Sequence, residues 1–133
     1  MSRILLVGLG SGALFAMMDG LINANPMGVR AMAAYRPVAR ASVNIIAGVG
    51  IDLVYGVVLA ALFVSIFHSL PGSTGLVKGL AFAAMVWFLR VVMATLSQWM
   101  IVNLSAGAVA YMLVSGLAEL LILGVLYGAV LHP

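Results

Sequence analysis

The chain has 133 residues, of which 65% are hydrophobic and only 7% are charged. Soluble domains carry about 25% charged residues, and one of this size could not hide so much apolar surface, so lipid must cover it. The absence of cysteine excludes disulfides, thiol redox chemistry and cysteine metal sites. In so hydrophobic a chain, the net charge of +3 favours contact with lipid headgroups, and we expect no nucleic-acid partner.

The first predicted transmembrane span covers residues 4–22. Small residues recur in it at intervals of four and form a face that another helix can approach closely: Gly8, Gly12, Ala16 and Gly20. Asp19 lies near the end of this span. It either meets the lipid headgroups or pairs with Arg36 or Arg40, and we favour the headgroups.

Residues 23–42 form the only long connection. Asn25-Pro26 is typical of a helix start, with Asn as the N-cap and Pro at the first helical position. The helix should end at Arg36-Pro37, because the residue before a proline disfavours helical geometry. The connection is therefore either an amphipathic helix in the headgroup plane or a basic loop. In both cases we expect its arginines to contact lipid headgroups: Arg30, Arg36 and Arg40.

The second predicted span covers residues 43–67, and one of its faces is small or polar nearly throughout. Such a face indicates contact with protein and not with lipid. It consists of every fourth residue: Asn44, Gly48, Asp52, Gly56, Ala60, Val64 and His68. The short turn over residues 70–75 contains Pro71 and Gly72, which predicts that spans 2 and 3 form an antiparallel hairpin.

The third and fourth predicted spans cover residues 77–102 and 108–130. One face of span 4 carries Tyr111, Ser115, Glu119, Leu123 and Tyr127, and a neighbouring face carries Gly116, Gly124 and Gly128. Four spans place both termini on one side of the membrane. The sequence thus predicts a single transmembrane domain over residues 1–133, an all-α four-helix bundle with a basic connection between spans 1 and 2.

Span 3 carries Arg90 near its middle, and two carboxylates are expected at the same depth. Asp52 and Arg90 each lie 19 residues from Pro71, whereas Arg90 and Glu119 lie 14 and 15 residues from Leu104. In antiparallel hairpins these positions fall within about one helical turn of one another. A charge inside a bilayer is costly unless it is paired. We therefore predict an intramembrane salt-bridge network of Asp52, Arg90 and Glu119, in which one negative charge remains to be balanced by a proton or a cation.

The network permits two functions. In the first, it only holds the helices together in a non-enzymatic accessory or assembly subunit, or in a homo-oligomer, whose partners are lipids and either itself or another membrane subunit. The glycine faces of spans 1 and 4 favour this hypothesis because they exceed what four helices need. In the second, the chain is a small proton- or ion-coupled transporter or channel that uses the network.

A transporter should have a polar cavity that reaches one membrane surface. We expect its lining to include Asn44, Tyr55, Ser97, Gln98, Tyr111 and Ser115. We expect no catalytic activity, no cofactor and no metal, because His68 and His132 lie at span ends and no nucleophile has a recognisable spacing.

The basic residues suggest an orientation. The long connection has three arginines, whereas Arg3, Lys78 and the terminal amine lie on the opposite side. By the positive-inside rule, residues 23–42 should face the cytoplasm, and we expect the bacterial inner membrane as the location.

Overall fold

The computed structural model describes residues 1–133 and contains helices and turns but no strand. Four helices are long and apolar enough to cross a membrane, and we call them spans 1 to 4: Ser2–Ala24, Ile45–Ser69, Gly75–Ile101 and Ala106–Val130. Span 2 is α-helical over Ile45–Ile66 and ends in a 3₁₀ turn over Phe67–Ser69. The predicted all-α transmembrane four-helix bundle is confirmed.

Side-chain caps begin three of the four spans. The N-cap side chains of Asn44, Thr74 and Ser105 each accept a hydrogen bond from the backbone N–H three residues later, which satisfies a donor that the first turn leaves free. At the end of span 2, Lys78 Nζ donates to the carbonyls of Phe67 and Leu70 at 2.8 and 2.9 Å. This ammonium group thus caps a helix C-terminus, where a positive charge is favourable.

The connection between spans 1 and 2 begins as its sequence predicts. Asn25 is the N-cap of a short helix over Pro26–Ala31, and its side chain accepts from the N–H groups of Met27 and Gly28. The helix is shorter than expected, because a 3₁₀ turn over Ala33–Val38 replaces its second half. We call Pro26–Ala31 the connecting helix.

Glycines bring the spans together in two pairs, span 1 with span 2 and span 3 with span 4. A Cβ added at Gly12 would lie 2.6 Å from Leu53 Cα, and one added at Gly79 would meet the carbonyl oxygen of Gly124. Such backbone-to-backbone contact provides the dispersion energy that holds membrane helices together.

The two pairs meet mainly through spans 1 and 4, so the lateral order is 2, 1, 4, 3. Near the chain termini an aromatic cluster joins all four spans, with Phe63 of span 2 lying 5.3 Å from Phe82 and 5.9 Å from Tyr127 between ring centroids. Spans 2 and 3 contact each other there, but they are not neighbours along their length. The predicted hairpin therefore has the expected turn without the expected side-by-side packing.

Candidate functional site: a polar cavity within the membrane

The middle of span 3 is not a regular α-helix. Residues Trp87–Val92 form a π-helical segment, a rare geometry that occurs frequently at functional sites. The indole N–H of Trp87 donates to the Leu113 carbonyl of span 4 at 2.9 Å, which fixes the start of the segment against its neighbour. Arg90 lies inside this segment.

The Arg90 side chain contacts aromatic rings where the sequence predicted carboxylates. Its guanidinium carbon lies 4.8 Å from the ring centroid of Phe15 and 4.6 Å from that of Tyr55, which is cation–π geometry. The structure contains no ion pair within 4.0 Å. The predicted salt bridges of Arg90 with Asp52 and Glu119 are therefore absent.

For Asp52, the reason lies in the lateral arrangement of the spans. Two residues at equal distance from a turn lie at the same depth in the membrane. They can make contact only if their helices are also neighbours. Spans 2 and 3 are separated because each packs on a different partner. Arg90 reaches Tyr55 across this gap, whereas Asp52 lies against span 1, with its backbone carbonyl 2.6 Å from where a Gly12 Cβ would be.

A cavity of about 380 Å³ lies beside Arg90, between spans 1, 3 and 4 and the connecting helix. Its charged lining residues are Asp19, Arg90 and Glu119. The others are mixed polar and apolar: Ile22, Asn23, Ala31, Met32, Val91, Ala94, Thr95, Gln98, Tyr111, Met112, Ser115 and Gly116. The size is within the range of small-molecule sites.

Glu119 is the most deeply buried charged residue of the cavity. Its side chain is 5% exposed, and its Oε1 atom is buried without a hydrogen-bond partner. An unsatisfied buried carboxyl oxygen is costly, by about 1–3 kcal/mol or more. The group is therefore available to a proton or to a donor that enters the cavity.

The six predicted cavity residues divide into three groups. Gln98, Tyr111 and Ser115 line the cavity. Tyr55 lies outside the lining but contacts Arg90. The remaining two are exposed elsewhere, since Asn44 caps span 2 and Ser97 donates to the Met93 carbonyl.

The connecting helix borders the cavity on the side of the long connection. Its Ala31 and the following Met32 belong to the lining. Two hydrogen bonds hold this region to span 4: Asn25 Nδ2 donates to Tyr111 Oη at 2.8 Å, and Tyr111 Oη donates to the Ile22 carbonyl at 2.6 Å. The polar end of the cavity thus lies on the side of residues 23–42.

The other predicted sites lie away from the cavity, except Gly116, which belongs to its lining. The proposed headgroup-contact residues are exposed, namely Arg30, Arg36 and Arg40. Six of the eight predicted packing glycines touch a neighbouring helix: Gly8, Gly12, Gly56, Gly116, Gly124 and Gly128. The last two have open space around them, namely Gly20 and Gly48. Both histidines are exposed.

Sequence reasoning missed Asp19 as a cavity residue and the Phe15–Tyr55 pair as the contact of Arg90. The sequence contains a pattern that indicates this surface, because one stripe of span 1 has a spacing of four residues and consists of Ser11, Phe15, Asp19 and Asn23. This stripe lies beside the glycine face and points to a second, polar surface. Asp19 is partly buried in it, and its Oδ1 accepts from Asn23 Nδ2 at 3.3 Å.

No protein-family model, curated protein or solved structure matches this chain.

Proposed function

We propose that the chain is a small proton- or ion-coupled transporter or channel. The observation that carries the proposal is that Arg90 and Glu119, both within spans, line one cavity without an ion pair between them. A charge held only for structural reasons would favour a closed and paired arrangement, because leaving one unpaired inside a membrane is costly. Ionisable groups that face a cavity there are instead typical of solute and proton pathways.

The residues have distinct parts in this proposal. Glu119 binds the proton or cation, because its buried Oε1 has no competing partner. Arg90 balances the negative charge when Glu119 is ionised, while the rings of Phe15 and Tyr55 stabilise the guanidinium. Asp19 and the other polar residues near the connecting helix form the path to the membrane surface. The aromatic cluster fills the opposite end of the bundle, and it would have to move for transport.

The accessory-subunit or homo-oligomer function is the second candidate. Most of the packing glycines contact another helix of the same chain, so fewer of them are left to bind a second subunit. Gly20 and Gly48 favour it, since a Cβ at either position would meet nothing within 4 Å. Substitution of both by Leu should then change the oligomeric state, measured by native mass spectrometry from detergent.

We further propose the bacterial inner membrane as the location, with residues 23–42 in the cytoplasm. Exposed Arg30, Arg36 and Arg40 on that side support this orientation. The cavity would then open toward the cytoplasm.

Proton flux into liposomes tests the transport proposal. The purified protein is reconstituted with a pH-sensitive dye inside, and a pH gradient is applied. Flux should occur with wild-type protein and be abolished by Glu119→Gln. Asp52→Asn is the matched control, because it also exchanges an acid for its amide but lies outside the cavity lining, and it should retain most of the flux. No flux from folded wild-type protein, or equal flux from Glu119→Gln, would contradict the proposal.

A further inference from the structure

The cavity offers a ligand two groups of opposite charge. Arg90 is an exposed residue whose guanidinium carbon lies over two aromatic rings, and no carboxylate forms a salt bridge with it. On span 4, Oε1 of Glu119 is buried and unpartnered. Both residues line the same space.

A ligand with a single charge would satisfy only one of these groups. A simple organic cation could bind Glu119, but it would share the cavity with Arg90, whose guanidinium forms no ion pair with the remaining carboxylate, Asp19. A simple anion could bind Arg90, but it would share the cavity with two carboxylates, those of Glu119 and Asp19. At the low dielectric of a membrane interior, either arrangement leaves a repulsive and poorly solvated charge.

We infer that the cavity binds a small zwitterion, whose ammonium group donates to Glu119 and whose anionic group accepts from Arg90. This inference rests on the proposed transport function and names its substrate class. The guanidinium suits the anionic end, because its planar N–H groups can bind a carboxylate or a phosphate through two parallel hydrogen bonds. No salt bridge engages these N–H groups, so they remain available to the ligand.

The rest of the lining fits a short zwitterion. Val91, Ala94 and Met112 give an apolar wall for a few methylene groups. Gln98 and Ser115 add neutral polar groups. The volume of about 380 Å³ accommodates a small amino acid or an ethanolamine phosphate group.

Two sources can supply this chemistry: a free amino acid, or the headgroup of phosphatidylethanolamine from the surrounding membrane. Both present an ammonium group and an anionic group separated by a few bonds. The experiment must therefore separate the ligand class from its source.

Calorimetric titration of wild-type protein in nanodiscs of pure phosphatidylglycerol tests the ligand class. The probes are glycine, β-alanine and 4-aminobutyrate, which increase the spacing between the charges, with butylammonium and butyrate as controls that carry one charge each. At least one zwitterion should bind tenfold or more tightly than both controls. Glu119→Gln and Arg90→Gln should each reduce this binding tenfold or more, whereas Asp52→Asn should not.

Repeating the titration with half of the lipid replaced by phosphatidylethanolamine separates the sources. Undiminished binding of the free zwitterion would support a soluble substrate, and competition by the lipid would support the headgroup. Equal or tighter binding of a singly charged control, or no binding of any probe in both lipid mixtures, would overturn the inference. If proton flux depends on Glu119 but no zwitterion binds, the transport function is supported and only the proposed ligand class is wrong. If the wild-type protein gives no flux, the transport function itself is wrong.

Discussion

The contact between spans 1 and 2 can be tested at a single glycine. A Cβ added at Gly56 would lie 2.6 Å from Gly12 Cα and would also meet the Gly12 nitrogen and the Gly8 oxygen, all of them backbone atoms. Gly48, two helical turns earlier in the same span, has nothing within 4 Å of an added Cβ. The substitutions Gly56→Ala and Gly48→Ala therefore add the same methyl group in opposite environments.

The structure gives the expected magnitude. Ordinary carbon contacts begin near 3.4 Å, so Gly56→Ala must separate the two spans locally by roughly 1 Å, which forfeits a quarter to a half of each dispersion contact at the interface. Overpacking of this kind costs about 1–3 kcal/mol. Alanine favours a helix over glycine by up to about 1 kcal/mol, but it does so at both positions. The difference between the two variants thus isolates the packing cost, about 1–3 kcal/mol.

The assay is reversible unfolding in mixed micelles with increasing SDS, followed by circular dichroism or by tryptophan fluorescence. Gly56→Ala should lower the free energy of unfolding by about 1–3 kcal/mol relative to Gly48→Ala. The stability of Gly48→Ala should equal or exceed that of the wild-type protein. Equal stability of the two variants would refute the close backbone contact between spans 1 and 2.

Three further substitutions test hydrogen bonds that join different parts of the chain. Tyr127→Phe removes the buried hydroxyl that lies 2.8 Å from Ser11 Oγ, and should lower stability by about 1 kcal/mol in the same assay; no loss would mean that the two groups do not meet. Lys78→Met removes the ammonium group that caps span 2, and should speed hydrogen exchange at the end of that span, with unchanged exchange as the contrary result. Tyr111→Phe breaks the link between span 4 and the connecting helix, and should speed exchange in the connecting helix; equal protection would place that helix elsewhere.

Features that depend on local chemistry could be predicted from the sequence. The four spans follow from apolar length, and the start of the connecting helix follows from Asn25-Pro26, which caps it in the structure. Most of the packing glycines also follow from their spacing of four residues. These features need no knowledge of which helix neighbours which.

The lateral arrangement could not be predicted, because several spans have a small-residue face and the sequence does not say which faces pair. The contacts of Arg90 depend on which of these faces pair. Its depth was inferred from turn positions, but spans 2 and 3 do not pack along their length, so Arg90 does not pair with Asp52. Glu119, on the neighbouring span 4, also forms no ion pair with Arg90, whose contacts are Phe15 and Tyr55. The π-helical segment around Arg90 has no sequence signature that would have predicted it.

Span 4 faces a polar cavity within the membrane on the side of Ser115. Because the chain has no cysteine, single cysteine substitutions can test this geometry directly. Ser115 lines the cavity, whereas the adjacent Val114 is 66% exposed on the outside of the bundle, where lipid would surround it. Single cysteines are placed at each position in membrane vesicles and treated with a charged thiol reagent that cannot cross lipid. A thiol must meet water to ionise and react. We expect rapid modification of Ser115→Cys from the side of residues 23–42 and none of Val114→Cys. An unreactive Ser115→Cys in folded protein would contradict the presence of a water-accessible cavity beside span 4.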